Sequence, residues 1–251
     1  MERASIKTVP KPSRDAPPPW DTRLIWAGFV LCVALFATMP QLDLMVATRY
    51  FTSNQGFNHA NEPIVRALYT WSPPVGRAIL IALAVFAALG SIIARSLKTR
   101  NQALAQQCAG PWRRAAAVAV LCGVLGPGLV IEGWFKNTAG RPRPVQVVQF
   151  GGDQPFHGAF EHGTTPVQHR SFVSSHAAAG FWLMSLGLTC APLWRRRWLL
   201  IGLVAGSVIG TGRMLQGGHF LSDIIFAFYA VWVSCEIVMW LEQRWRQRTR
   251  P

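Results

Sequence analysis

The chain has 251 residues, of which 51% are hydrophobic and only 14% charged. That balance is too apolar for an ordinary water-soluble domain, so a single membrane-embedded domain is expected. The net charge is +14, but the Lys and Arg residues sit between apolar runs rather than on a basic face interleaved with aromatics, which argues against nucleic-acid binding.

In chain order, residues 1–23 are Pro-rich and basic and read as a disordered tail. Apolar segments follow at 24–40, 77–94, 115–135, 172–193, 197–212 and 219–240. Each approaches the length needed to span a bilayer as a helix. The expected fold is therefore all-α: a polytopic membrane protein with six transmembrane helices over 24–240. A basic tail follows at 241–251. The first segment has no A-x-A site after it and reads as a signal anchor. The loop 41–76 contains FNHANEPIVRALYTW, an amphipathic helix candidate for the membrane interface. The loop 144–171 is rich in Gly, Gln and His; no strands are expected. Gly202, Gly206 and Gly210 place small residues every fourth position, a pattern for close helix packing within the monomer. Trp20, Trp71, Trp112, Trp194 and Trp240 fall near span ends, as interfacial anchors do.

Six spans put both termini on one side. Seventeen of the 25 basic residues lie in the tails and loops of that side, so the N and C termini are expected to be cytoplasmic. The five cysteines form no CxxC pair and four lie in apolar runs, which favours free thiols. His157, Glu161, His162 and His169 share a loop but lack the tight spacing of a zinc site.

Polar residues pressed against span ends are functional candidates by default. Three clusters stand out: Lys136-NTAGRP-Arg143-Pro144 after the third span, Val173-Ser174-Ser175-His176 at the start of the fourth, and Gly212-Arg213-MLQGG-His219-FLS-Asp223 between the fifth and sixth. By the parity of the spans all three face the outer side. Lys136, Arg143 and Arg213 are cations without matching acids, and a phosphate among them would relieve their repulsion. His219 and Asp223 stand four apart, so the carboxylate can hold one imidazole nitrogen and leave the other free to attack. His176 is the natural acid for the leaving oxygen and base for water. Ser174 and Ser175 sit at a helix start, where N–H groups and hydroxyls hold phosphate oxygens. No metal or other cofactor is expected. Arg141 reads as a charge that supports the site from behind or faces lipid headgroups. Glu132, one turn before Lys136, reads as its structural ion-pair partner.

These residues resemble the type 2 phosphatidic acid phosphatase family, whose pattern is KxxxxxxRP, PSGH and SRxxxxxHxxxD. The first motif is complete here. The second reads VSSH, with Val173 for Pro and Ser175 for Gly, and the third has Gly212 for Ser. The resemblance covers roughly residues 24–240. It implies His219 as nucleophile, Asp223 as its partner and His176 as acid/base. It also implies phosphate contacts from Lys136, Arg143, Arg213, Ser174 and the Ser175 backbone. A side chain at Ser175 is expected to narrow the phosphate pocket. PQLDLMVATRYF, GFNHANEPIVRALY, FKNTAGRPRPVQVVQFGG and SFVSSHAAAGF are similar to bacterial members near the lipid A phosphatases. The resemblance thus implies a bacterial inner-membrane enzyme facing the periplasm, with lipid A as the leading substrate. Its partners would be the lipid substrate and the bilayer, with no nucleic acid and no obligatory protein partner. The residues leave open undecaprenyl pyrophosphate, phosphatidylglycerol phosphate or phosphatidate, phosphotransfer to a second lipid, and a non-catalytic lipid-binding scaffold.

Overall fold

The computed structural model describes residues 22–163 and 168–249; most of the tail expected over 1–23 lies outside them. Helix α1 (Thr22–Thr38) stops just before Pro40, whose ring cannot continue the hydrogen-bond ladder. Helix α2 (Gln41–Thr48) then leaves at 88° to it. A short antiparallel ribbon follows, β1 (Phe51–Thr52) paired with β2 (Gly56–Phe57). No strands were expected, and two-residue strands are too short to show alternation. Gly56 supplies the positive φ that closes the turn (71°). The rings of Phe51 and Phe57 pack at 5.2 and 5.5 Å on Phe150.

Helix α3 (Pro63–Leu97) starts on a proline at its first turn, where no N–H is needed, and runs through Pro73 and Pro74. The interfacial helix expected over 57–71 is thus in part the first turns of a spanning helix, while Phe57 and its neighbours form the ribbon and its exit. At about 1.5 Å per residue α3 is roughly 50 Å long, well beyond a hydrocarbon core of about 30 Å. Helix α4 (Gln102–Ala109) is capped by Asn101, which accepts a hydrogen bond from the Leu104 N–H at 2.9 Å. Helix α5 (Pro111–Gly123) widens into a π-helix over Val124–Phe135 and ends in one α-turn, α6 (Lys136–Thr138). Pro127 sits inside the widened stretch, where its missing N–H and its ring oppose regular α geometry.

The segment expected as the fourth span holds only short helices and is not among those long enough to cross a membrane. Helix α7 (Ser175–Trp182) and a 3-10 stretch over Leu183–Gly187 stand inside the bundle, with Ala177 and Ala178 fully buried. Helix α8 (Pro192–Leu215) passes beside it and α9 (Leu221–Arg248) closes the fold. Four helices among the described residues are long and apolar enough to cross a membrane, or five if α1 and α2 form one bent span. The protein is thus a multi-pass, all-α membrane protein apart from its small ribbon.

The glycine stripe on α8 does what its spacing promised. A Cβ at Gly202 would lie 2.6 Å from the Met184 nitrogen, and one at Gly206 would enter the Phe181 ring. A Cβ at Gly180 on α7 would in turn stand 2.6 Å from the Gly206 nitrogen. The contact is backbone on backbone, which brings α7 close to α8. Trp182 completes it from the other side, its indole N–H donating to the Ala119 carbonyl at 2.7 Å.

Candidate active site

The last turn before the 139–143 loop carries Lys136, 5% exposed. Its ammonium donates to the carbonyls of Arg170 (2.6 Å) and Ser171 (3.1 Å). Two of its three N–H groups are thereby fixed, which leaves one to point elsewhere. Arg143 follows in the loop, its backbone N–H held by the Gln146 side chain at 2.8 Å. Arg213 occupies the last turn of α8 and is 5% exposed. Its guanidinium donates to Gln216 and lies 4.5 Å from the centre of the Tyr69 ring. Among the described residues its buried Nε has no hydrogen-bond partner. Buried donors are rarely left so, and an anion would satisfy this one. The charge of Arg143 is felt at both Lys136 and Arg213, so the three expected cations share one locality.

His219 lies in the short link between α8 and α9 and is 3% exposed. Its Nδ1 faces Asp223 Oδ2 at 3.3 Å, which leaves Nε2 as the free nitrogen. Burial, aided by the nearby charges of Lys136 and Arg213, outweighs the hydrogen bond to Asp223 and pushes the His219 pKa down to about 3. The ring is therefore neutral and carries a lone pair at ordinary pH. The link that holds it depends on two glycines. Gly217 adopts φ 62°, which favours glycine, and a side chain there would also strike Val145. A Cβ at Gly218 would stand 2.7 Å from the Arg213 Cζ.

His176 is at the start of α7, half-buried, its ring stacked on Tyr69 at 5.2 Å and 20°. The charges of Arg213, Lys136 and Arg143 all act on it, and those of Lys136 and Arg213 act on His219 as well. Ser174 caps α7 by accepting from the Ala177 N–H at 3.4 Å, and its own N–H donates to the Asp223 carbonyl at 3.1 Å. The first N–H groups of α7 remain for another acceptor. The Ser175 side chain, expected to narrow the phosphate pocket, has a protein partner of its own. Its hydroxyl donates to Glu132, which also takes a hydrogen bond from Arg170 at 3.1 Å.

One expectation is corrected here. Glu132 pairs with Arg170 and Ser175, not with Lys136. The π-helix explains this, since residues four apart no longer stack where the ladder runs i to i+5. Of the two readings of Arg141, the structure takes the first: the residue is fully buried and supports the site from behind rather than facing lipid headgroups. It donates to Asp223 Oδ1 at 2.7 Å, Ser222 Oγ at 2.8 Å, Asp43 Oδ2 at 2.7 Å and the His157 carbonyl at 2.9 Å. Burial opposes its charge, but Asp223 and Asp43 beside it more than offset this and hold its pKa above the usual value. Asp223 Oδ2 also accepts from the Ser171 hydroxyl (2.6 Å) and the Phe220 N–H (2.9 Å). Asp43, Ser171, Ser222, Tyr69 and Gln216 were not read from the sequence. Asp43 alone carried a signal, as a lone acid in the apolar run PQLDLMVAT.

All three clusters thus meet, and the pattern has counterparts. Over 224 residues the chain is 31% identical to a lipid A 4'-phosphatase of Francisella tularensis subsp. novicida, covering 86% of this chain and 95% of that one. Lipid A 4'-phosphatases of Rhizobium leguminosarum and Rhizobium etli are 35% and 36% identical over 128 and 116 residues. Those matches cover 50% and 46% of this chain, and 53% and 43% of theirs. No solved structure matches. Residues 115–247, which run from α5 through Lys136, His176, Arg213 and His219 into α9, match the PAP2 superfamily, and the chain belongs to it.

Proposed function

We propose that this membrane phosphatase removes a phosphate monoester from lipid A at the periplasmic face of the bacterial inner membrane, through a phosphohistidine at His219. The observation that carries this reading is the buried imidazole of His219, backed by Asp223 at 3.3 Å and within reach of the charges of Lys136 and Arg213. The relatives' names support the substrate. The charge distribution along the chain supports six spans, with α1–α2 as the first and α7 as the core of the fourth, and with both termini in the cytoplasm. The lipid enters from the bilayer side and needs no protein partner.

The three cations neutralise the phosphoryl oxygens, the role that metal ions share in many other phosphoryl-transfer sites. The Nε2 lone pair of His219 forms the N–P bond while the P–O bond to the sugar breaks. The negative charge of the bound phosphate offsets Arg213, Lys136 and Arg143 and lets His176 take up the proton that it gives to the departing oxygen. Asp223 faces the imidazolium that results. His176 then takes a proton from water, the water oxygen bonds to phosphorus, and the N–P bond breaks to release phosphate. The stacking of His176 on Tyr69 fixes the orientation of that ring.

The test is phosphate release by purified protein from lipid A, undecaprenyl pyrophosphate, phosphatidylglycerol phosphate and phosphatidate. Release is expected to be fastest from lipid A, to persist in EDTA, and to fall at least about a thousandfold in His219→Ala. Preference for another lipid would replace the substrate; full activity in His219→Ala would refute the mechanism.

A further inference from the structure

Asp43 precedes the stretch that matches the superfamily, yet its carboxylate is fully buried against it. It reaches across 98 positions of sequence to Arg141 and 179 to Ser222. We propose that Asp43 is a positioning residue for His219, acting through Arg141 and Ser222 on Asp223. The inference rests on His219 being the nucleophile.

Two physical routes connect them. The first is geometric. Asp43 Oδ1 accepts from the Ser222 N–H at 2.9 Å, and Oδ2 accepts from the Ser222 hydroxyl at 2.5 Å. Ser222 is the residue before Asp223, so Asp43 anchors the turn of α9 that aims Asp223 Oδ2 at His219. The second route is charge. Asp43 and Asp223 share one guanidinium, at 2.7 Å on each side. Phe220 and Phe156 line the same guanidinium at 4.4 and 5.7 Å, which keeps water from it. With both carboxylates ionised, as the donors from Arg141 and Ser222 favour, the cluster carries a net charge of −1. An isolated Arg141–Asp223 pair would be neutral and would offer a cationic phosphohistidine no net counter-charge. Asp43 takes up the cation from the far side and leaves the charge of Asp223 available to His219. Lys136 and Arg213, on the other side, are engaged by the phosphate itself.

The experiment compares the full-length wild type, Asp43→Asn, and the double variant Asp43→Asn/Arg141→Gln, with lipid A in detergent micelles as substrate. Rates are expressed per vanadate-binding site at saturating vanadate, so that misfolded protein does not count. Asp43→Asn makes the cluster neutral and is expected to lower kcat at least tenfold with KM within about twofold. The double variant restores the net charge of −1 and is expected to regain part of that kcat. An anchor that merely held α2 to the bundle would make the double variant worse than the single one. An undiminished kcat in Asp43→Asn, or a double variant no faster than the single, overturns the inference. If the wild type releases no phosphate from any lipid, the functional reading fails first and the inference falls with it.

Discussion

Arg213 has little room to move, and Gly218 is the reason. The glycine lies against the guanidinium, and its N–H donates to the Arg213 carbonyl at 2.9 Å. Gly218→Ala would push the arginine from its place between Gln216 and Tyr69 without touching His219. Its expected effect is a loss of phosphate affinity, read as a vanadate inhibition constant raised about tenfold or more, with the thermal midpoint little changed. Unchanged vanadate inhibition would mean that Arg213 does not bind the phosphate. His219 carries a second consequence at this scale. Its pKa falls from 6.5 to about 3 on burial. Between those values the folded state holds fewer protons than the unfolded one. The neutral imidazole therefore supports the fold fully above pH 6.5, and that support is lost as pH falls toward about 3. The thermal midpoint of the wild type in detergent is expected to drop more steeply over that range than that of His219→Gln. Parallel curves would place the depressed group elsewhere.

Among the elements, the α7–α8 contact and the π-helix do most to place the site. Gly180, Gly202 and Gly206 let α7 lie almost backbone to backbone on α8, with the Phe181 ring against Gly206. His176 is on the first turn of the one helix and Arg213 on the last turn of the other, so their relation is set by this packing. Overpacking such a contact costs about 1–3 kcal/mol or more. Gly206→Leu is therefore expected to lower the thermal midpoint by several degrees and to reduce kcat as α7 shifts; an unaltered midpoint would show that the contact is loose. The glycine spacing was legible in the sequence because small residues at every fourth position have one structural reading. The π-helix was not, since Pro127 inside an apolar run looks the same whether the helix kinks, breaks or widens. That blind spot caused the wrong partner for Glu132. Ser175, read as an obstruction, proved to be held by that same Glu132, a pairing across 43 residues that no local pattern could reveal.

At the scale of the whole molecule, the sequence was informative wherever a rule links residue type to position. Apolar runs gave the helical membrane class. Parity of the spans brought Lys136, Arg143, His176, Arg213 and His219 to one locality, and the structure places their charges within reach of one another. Hidden from it were the long-range ties that make the site rigid. Arg141, Asp43, Ser222 and Asp223 come from a loop, α2 and α9, and their pairing depends on the 88° bend between α1 and α2. A buried cluster of this kind is poor evidence of stability, because desolvation of its charges opposes their attraction. Its completeness matters more: removing one member strands another charge at a cost of about 3–5 kcal/mol. The bundle thus holds a buried imidazole, backed by a carboxylate, within reach of the charges of Lys136 and Arg213. The most direct measurement of that claim is to trap the reaction with lipid A carrying labelled phosphate, quench in alkali, and map the label. The account predicts an alkali-stable, acid-labile label on His219 that is absent from His219→Ala. Steady phosphate release with no label on His219, or with the label on another residue, would contradict it.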